Sequence, residues 1–412
     1  MISALNHRQR LSGNKIFLVL AVGLLLASCS PKIQPVAAPK PFPGNPQPEV
    51  IKSEPEVKFT EATVSLLLPF RLNEINPKVS TKAQMDRATL AIEFYQGFKL
   101  GIDSAALSGM NFKLNVFDTQ DSPAQLDRLF SSGALLNSNL VVGPAFPDGL
   151  KHLRDYSIAN NIAVVSPLAA SHPQEFNNPK LISVVNNIDL HAKKLGDYIS
   201  GNYNRQNSIL VLVNPKAPAD ELFAAPLRRY FQTAKNNRFA FQEYASVFAL
   251  EPKLVKGKKY IIVLSSYNKK FVTETIDKLL KLKRAGMNVD LYGHPNWLKQ
   301  NYAADKLQSL NTTITSSYYI NYKSPAVIAF VKKYRQAYNF EPGEYAFKGF
   351  DIGYYFGKQL SLHGSQYFKD LAKEKYKGLQ NSFAFVYDNK TGYINTSLML
   401  LRYKNFSLNV IE

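Results

Sequence analysis

The sequence predicts an α/β protein of two doubly wound, Rossmann-like lobes joined by crossover hinge strands. Three observations carry this. Continuous apolar runs of five to seven residues alternate with helical stretches, the pattern of parallel strands buried on both faces. The alternation runs from Val64 to Val185 and again from Asp189 to Gly293. The chain has 412 residues, enough for two cores, but a single cysteine, so burial and not disulfides must hold it together.

That cysteine, Cys29, closes the first segment. Arg8, Arg10 and Lys15 precede an apolar run from Ile16 to Ala27, and small residues follow. A basic start, a short apolar stretch and a small-residue end describe a secretory signal peptide over residues 1–28. The run is too short for a bilayer span, which needs about 20 residues. Leu26, Ala27, Ser28 and Cys29 together resemble the lipobox of bacterial lipoproteins. That resemblance implies cleavage before Cys29, lipidation of its thiol by fatty acids such as palmitate, and acylation of the new amino terminus. Each buried CH₂ of such chains adds about 0.8 kcal/mol of membrane affinity. Ser30 after the cysteine implies the outer membrane, on its periplasmic face, within the cell envelope. Residues 29–60 read as a tether: Pro31, Pro35, Pro39, Pro41, Pro43, Pro46, Pro48 and Pro55 interrupt any apolar period.

The first lobe takes residues 62–187. Its strands are VSLLLPF (64–70), FKLNVFD (112–118), NLVVGP (139–144), AVVSPL (163–168) and LISVV (181–185). Helices are expected over 84–107, 123–136 and 148–160, with Pro123 at a first helical turn. The second lobe takes about 188–314. A helix over 189–203 leads to SILVLVN (208–214), a helix near 220–234, RFAFQEY (238–244), YIIVLSS (260–266), a helix over 269–284 and MNVDLYG (287–293). Residues of about 315–380, with helices near 325–338 and 347–363, are expected to return to the first lobe. FAFVYD (383–388) and SLMLLRYK (397–404) read as a C-terminal β-hairpin turned at Gly392, placed with residues 381–412 in the second lobe.

Several stretches resemble the type I periplasmic-binding-protein family, in its leucine-binding, branched-chain amino-acid receptor form. They are IEFYQGFKLGID (92–103), FDTQDSPAQLDRLF (117–130), LVVGPAFPD (140–148), YAFKGFDIGYYFGKQL (345–360) and VYDNKTGYINTS (386–397). The likeness covers about residues 62–412. SLLLPF, YQGFKLG and VVGPAFPDGL equally resemble lipoproteins that activate penicillin-binding proteins, which carry the same domain behind a lipobox and a linker.

In open α/β sheets, ligands meet the loops at the carboxyl ends of the strands. Arg71, directly after the first strand, is a candidate for bidentate contact with a carboxylate or phosphate. Tyr267 and Trp297, at loop starts in the second lobe, are candidates for stacking on a ring or sugar. The resemblance adds Ser166, Ala169 and Ser171, which fit the strand end that holds a ligand carboxylate in amino-acid receptors. At the neighbouring strand end those receptors use serines, where this sequence has Pro144, Ala145, Phe146 and Pro147. Two prolines remove two N–H donors and Phe146 fills space. The acid that would meet a ligand ammonium is missing from the loop His294, Pro295, Asn296 and Trp297. The amino-acid clamp is therefore half present.

No catalytic constellation emerges, and no enzyme activity is expected. His7, His152, His172, His191, His294 and His363 make no HxxxH or HExxH pair, and no GxSxG elbow exists. Gly353, Gly357 and Lys358 imitate a phosphate loop but lie one residue short, lack a following Ser or Thr, and sit in a helix pattern. No metal and no cofactor are expected. The formal charge of +19 falls to +16 without Arg8, Arg10 and Lys15, since residues 1–28 hold no acid. A basic chain suits anionic partners; outside a cell these include an anionic glycan and exclude nucleic acid. The sequence thus points to non-catalytic binding of a small polar solute, amino-acid- or peptide-like, between two lobes, in the manner of an ABC transporter substrate-binding protein. The alternative is a protein-interaction module that regulates a peptidoglycan synthase.

Overall fold

The computed structural model describes residues 59–76, 78–233 and 239–412. Cys29, the signal peptide and the tether up to residue 58 lie outside them.

The first lobe begins as a run of β/α units: β1 (Glu61–Leu68), α1 (Lys82–Ala106), β2 (Asn111–Asp118), α2 (Pro123–Ser131), β3 (Leu140–Val142), α3 (Pro147–Ala159), β4 (Val164–Ser166) and β5 (Leu181–Ser183). The second lobe repeats the plan with α4 (Ile188–Asn202), β6 (Ser208–Val213), α5 (Pro218–Thr233), β7 (Ala240–Tyr244), α6 (Val247–Leu250), β8 (Lys259–Leu264), α7 (Lys269–Arg284), β9 (Asn288–Gly293), α8 (Ala304–Ser309) and β10 (Thr313–Ser316). The chain then returns through α9 (Pro325–Tyr338), α10 (Glu344–His363), α11 (Tyr367–Asp370), β11 (Lys375–Lys377), β12 (Ser382–Asp388) and β13 (Gly392–Asn395). It ends in β14 (Met399–Lys404) and β15 (Ser407–Val410).

Two separate sheets result, ordered β11-β12-β13-β5-β4-β3-β1-β2 and β15-β14-β10-β9-β8-β6-β7. Each contains a parallel 2-1-3-4-5 core, the doubly wound order. Because strand side chains alternate, each sheet builds two cores. In β1, Leu66 and Leu68 pack with Phe94 and Phe98 of α1, while Leu67 packs with Leu126 and Leu150 on the other face. In β8, Ile262 and Leu264 join Ile276 and Leu279 of α7, whereas Ile261 and Val263 meet Phe223 and Leu227 of α5.

The motifs YQGFKLG and FKGFDIG have a packing cause. A Cβ on Gly97 would collide with the Ala346 carbonyl, and one on Gly349 with the Phe94 carbonyl. The glycines let α1 and α10 touch backbone to backbone.

The end of the chain differs from expectation. β12 pairs with β13 through the turn at Gly392, whose φ is +80°, and β13 adds to β5. Residues 382–395 therefore belong to the first sheet, not to the second lobe. The strand at 399–404 pairs instead with β10 and β15 in the second sheet. Two hairpins, one per lobe, replace the one expected. The apolar pattern marks each strand but not its partner. β10 carries hydroxyls at Thr313, Thr315 and Ser316, which hid it from an apolar reading although all three are buried.

Candidate functional site

Among the described residues, the chain crosses between lobes three times, over residues 184–187, 317–324 and 396–398. Beside these crossings lies a cavity of about 240 Å³ with walls from both lobes. The first lobe supplies Leu168 and Ala170 after β4, Lys348 on α10, and Asn381 before β12. Asn186 and Val185 come from the first crossing, His191 from α4, Ser316 from the end of β10, and Ser317 and Tyr318 from the second crossing. The second lobe adds Pro295, Asn296, Leu298 and Lys299. No Asp or Glu stands among these wall residues, and two lysines do.

Lys348 is the outlying group. It is 8% exposed, and burial lowers its pKa to about 8. Its Nζ lies 5.3 Å from the centre of the Tyr318 ring and 5.9 Å from that of Tyr345. Cation–π contact of this kind offsets part of the desolvation of an ammonium. Among the described residues no carboxylate lies within ion-pair distance of it; Glu344 acts on it only from further away.

Around the lysine the polar walls are tied down. His191 places Nδ1 2.9 Å from Thr315 Oγ1 and Nε2 3.1 Å from Ser317 Oγ. Burial depresses its pKa to about 3, so the imidazole is neutral, with one ring nitrogen donating and the other accepting. Burial, and then the neighbouring His191, likewise holds His294 at about 3. His294 Nδ1 accepts the Asn296 N–H at 3.0 Å and so caps the turn that carries Asn296 and Lys299 to the cavity. Asn186 Nδ2 donates to the Asn395 carbonyl at 2.7 Å. Among the described residues, the buried side-chain carbonyl oxygens of Asn186 and Asn381 find no hydrogen-bond donor.

The residues singled out from sequence separate. Trp297 is fully buried, donates Nε1–H to the Ser266 carbonyl at 2.9 Å, and packs with Tyr302. It is a core residue, and the stacking role expected of it is withdrawn. Tyr267 is half-buried against the His294 ring and does not line the cavity. Ala169 turns into the first-lobe core with Phe176 and Leu181, leaving its exposed neighbour Ala170 at the cavity. Ser166 is buried with Oγ unpartnered, opposite Ser183 in register, and Ser171 is half-buried; neither forms the wall. Arg71, at φ 55°, pairs with Glu74 at 3.0 Å and Asp121 at 3.1 Å. Its guanidinium is thus engaged within the first lobe. Phe146 borders a different, smaller cavity of about 150 Å³ with Pro69, Thr119 and Pro144, also inside that lobe.

Lys348, Asn186, His191, Ser317 and Asn381 were not among the sequence candidates. One signal existed for Lys348: a lysine between Phe347 and Gly349, on the stretch of its helix that the FKGFDIG motif packs against a neighbour. The others face the cavity only because distant segments meet there.

The two-lobed fold finds counterparts among solved structures. A protein described as a branched-chain amino acid ABC transporter from Rhodospirillum rubrum superposes with a TM-score of 0.63, over 85% of this chain and 99% of that one, at 15% identity. The chain has the type I periplasmic-binding-protein fold. An ABC transporter substrate-binding protein of this fold from Desulfitobacterium hafniense, in complex with Leu, gives 0.53 at 14% identity, covering 85% of this chain and all of that one. Full-length LpoA from Haemophilus influenzae gives 0.55 at 13% identity over 86% of this chain; the match spans 59% of LpoA. No protein-family model matches the sequence, and no curated protein matches it.

Proposed function

We propose that this protein binds a small polar solute between its lobes and leaves it chemically unchanged. The observation that carries this is the buried Lys348 in a two-lobed cavity, without a carboxylate partner among the described residues. A desolvated charge left unpaired is costly, and a bound solute removes that cost. The cavity, of about 240 Å³, has room for a ligand of amino-acid size. A structural neighbour of the same fold holds Leu, so amino acids, short peptides and muropeptides form the first panel. Lobes joined by three crossings can close on such a ligand by hinge motion. In this proposal the protein works in the cell envelope, tethered by lipidated Cys29 to the outer membrane, a placement that rests on the lipobox resemblance.

Thermal melts across the panel test the reading, because a ligand selective for the folded state must raise Tm. A ligand-dependent rise, abolished by Ser317→Trp in the cavity wall, supports it. The second reading, a module acting on a peptidoglycan synthase, is favoured by the resemblance of SLLLPF, YQGFKLG and VVGPAFPDGL to lipoproteins that activate penicillin-binding proteins. Flat melts across the panel together with a captured synthase would favour that module.

A further inference from the structure

We infer that the cleft solute is a small carboxylate whose charge is met by Lys348 and which bears a hydroxyl or another neutral donor where an amino acid bears its ammonium. The inference rests on the cleft-binding reading above and names the ligand class within it.

Three features converge. First, the cavity wall has cationic groups and no anionic one: Lys348 sits inside and Lys299 at the exposed side of the wall. A zwitterionic amino acid would leave its ammonium without a carboxylate, in a cavity already holding a lysine ammonium; like charges at short range in a poorly solvated site repel strongly. Second, Lys348 is held ready for an anion. Its stem is fixed on α10, where Gly349 and Gly353 pack that helix tightly on α1, and its tip rests against Tyr318 and Tyr345. Among the described residues it makes no ion pair, so an incoming carboxylate displaces none. Third, the other polar side chains that line the wall are neutral; Glu344 stands behind the wall, where it interacts with Tyr318 and, from outside ion-pair distance, with Lys348. His191 is locked between two hydroxyls, and Asn186 and Asn381 carry amide oxygens that have no donor. Such groups complement hydroxyls and amides. Charge on one side and neutral acceptors on the other describe a recognition surface for hydroxy acids and related carboxylates.

The test is titration calorimetry on the full chain with probes of matched shape. The set is glycolate, lactate and 2-hydroxyisocaproate, the corresponding neutral hydroxy amides, and glycine, alanine and leucine. At least one hydroxy acid is expected to bind at least tenfold more tightly than both its amide and its amino acid. Lys348→Met should weaken that binding at least tenfold, and Lys348→Arg should keep part of it. Lys348→Met removes a buried charge, so loss of folding is not expected; a melt of the empty variant checks this. Ser317→Trp, which fills the cavity, separates the two claims. If amino acids or neutral amides win, and Lys348→Met leaves their affinity unchanged while Ser317→Trp abolishes it, the carboxylate assignment falls and the cleft reading stands. If the hydroxy acids bind but Ser317→Trp has no effect, the site lies elsewhere and both fall. No heat from any probe also overturns the assignment.

Discussion

Asp351 on α10 holds Asn381 at the cavity: its Oδ2 accepts the Asn381 N–H at 2.8 Å. The same carboxylate takes the N–H of Gln380 at 2.8 Å and, through Oδ1, that of Leu379 at 2.7 Å. Lys348 lies one helical turn before Asp351. One helix thus presents a cation to the cavity and anchors, with a buried carboxylate, the segment that forms the opposite part of its wall. The two charged groups make no ion pair with each other.

Asp351→Ala should cost several kcal/mol in denaturant unfolding, since three buried N–H groups lose their acceptor at about 1–3 kcal/mol each. The pH dependence has a definite sign. Burial raises the Asp351 pKa from 3.8 to about 6, and the three amide hydrogen bonds only partly offset it. The folded state therefore holds the proton more tightly, and the stability this contributes below pH 3.8 is lost as pH rises through about 6. Asp351→Asn, which cannot ionise, should remove that fall; an identical slope in both proteins would sink the assignment.

For Lys348 the sign is opposite. Its pKa falls from 10.5 to about 8, so the unfolded chain binds the proton more tightly. Its cost is fully present below about pH 8 and is relieved as pH rises towards 10.5, a gain of about 3 kcal/mol. Lys299 and Glu344 act on it from outside the ion-pair range and are held constant by comparing wild type with Lys348→Met. The empty variant should melt higher at pH 7, and the difference should shrink towards pH 10.5.

Trp297→Ala should destabilise the ligand-free protein by about 3–5 kcal/mol, the range for emptying an aromatic core site. A role in stacking on a ligand would instead spare the empty protein and lower affinity alone.

Arg71→Ala should do little. Its partners Glu74 and Asp121 are about a third exposed, and pairs of that kind contribute about 0–1 kcal/mol. Affinity for a cleft ligand should stay unchanged in calorimetry, because the guanidinium serves a loop of the first lobe.

Gly97→Ala tests the helix contact. The added methyl meets the backbone of Ala346, which cannot rotate away. Overpacking costs about 1–3 kcal/mol, and here α1 and α10 must separate. Because Lys348 lies two residues beyond Ala346, ligand affinity should fall together with Tm.

Much of the fold was legible in the chain. β1, β6 and β8 announce themselves because parallel strands buried on both faces need unbroken apolar runs, and helices were expected over 269–284 and near 325–338, where α7 and α9 form. The local pattern also marked the strands at 383–388 and 397–404, but strand pairing depends on where the chain travels between them, so their partners were misassigned. The candidate site was far less legible. Arg71, Trp297 and Ala169 occupy strand ends of the expected kind, yet one residue of rotation decides whether such a side chain meets the core, a neighbouring acid or the cleft. Sequence alone determined two doubly wound lobes, because hydrophobic periodicity is a local property of the chain. Only the tertiary structure decided that Asn186, His191, Ser317, Lys348 and Asn381 share one cavity, because burial and charge pairing depend on contacts between segments up to about two hundred residues apart.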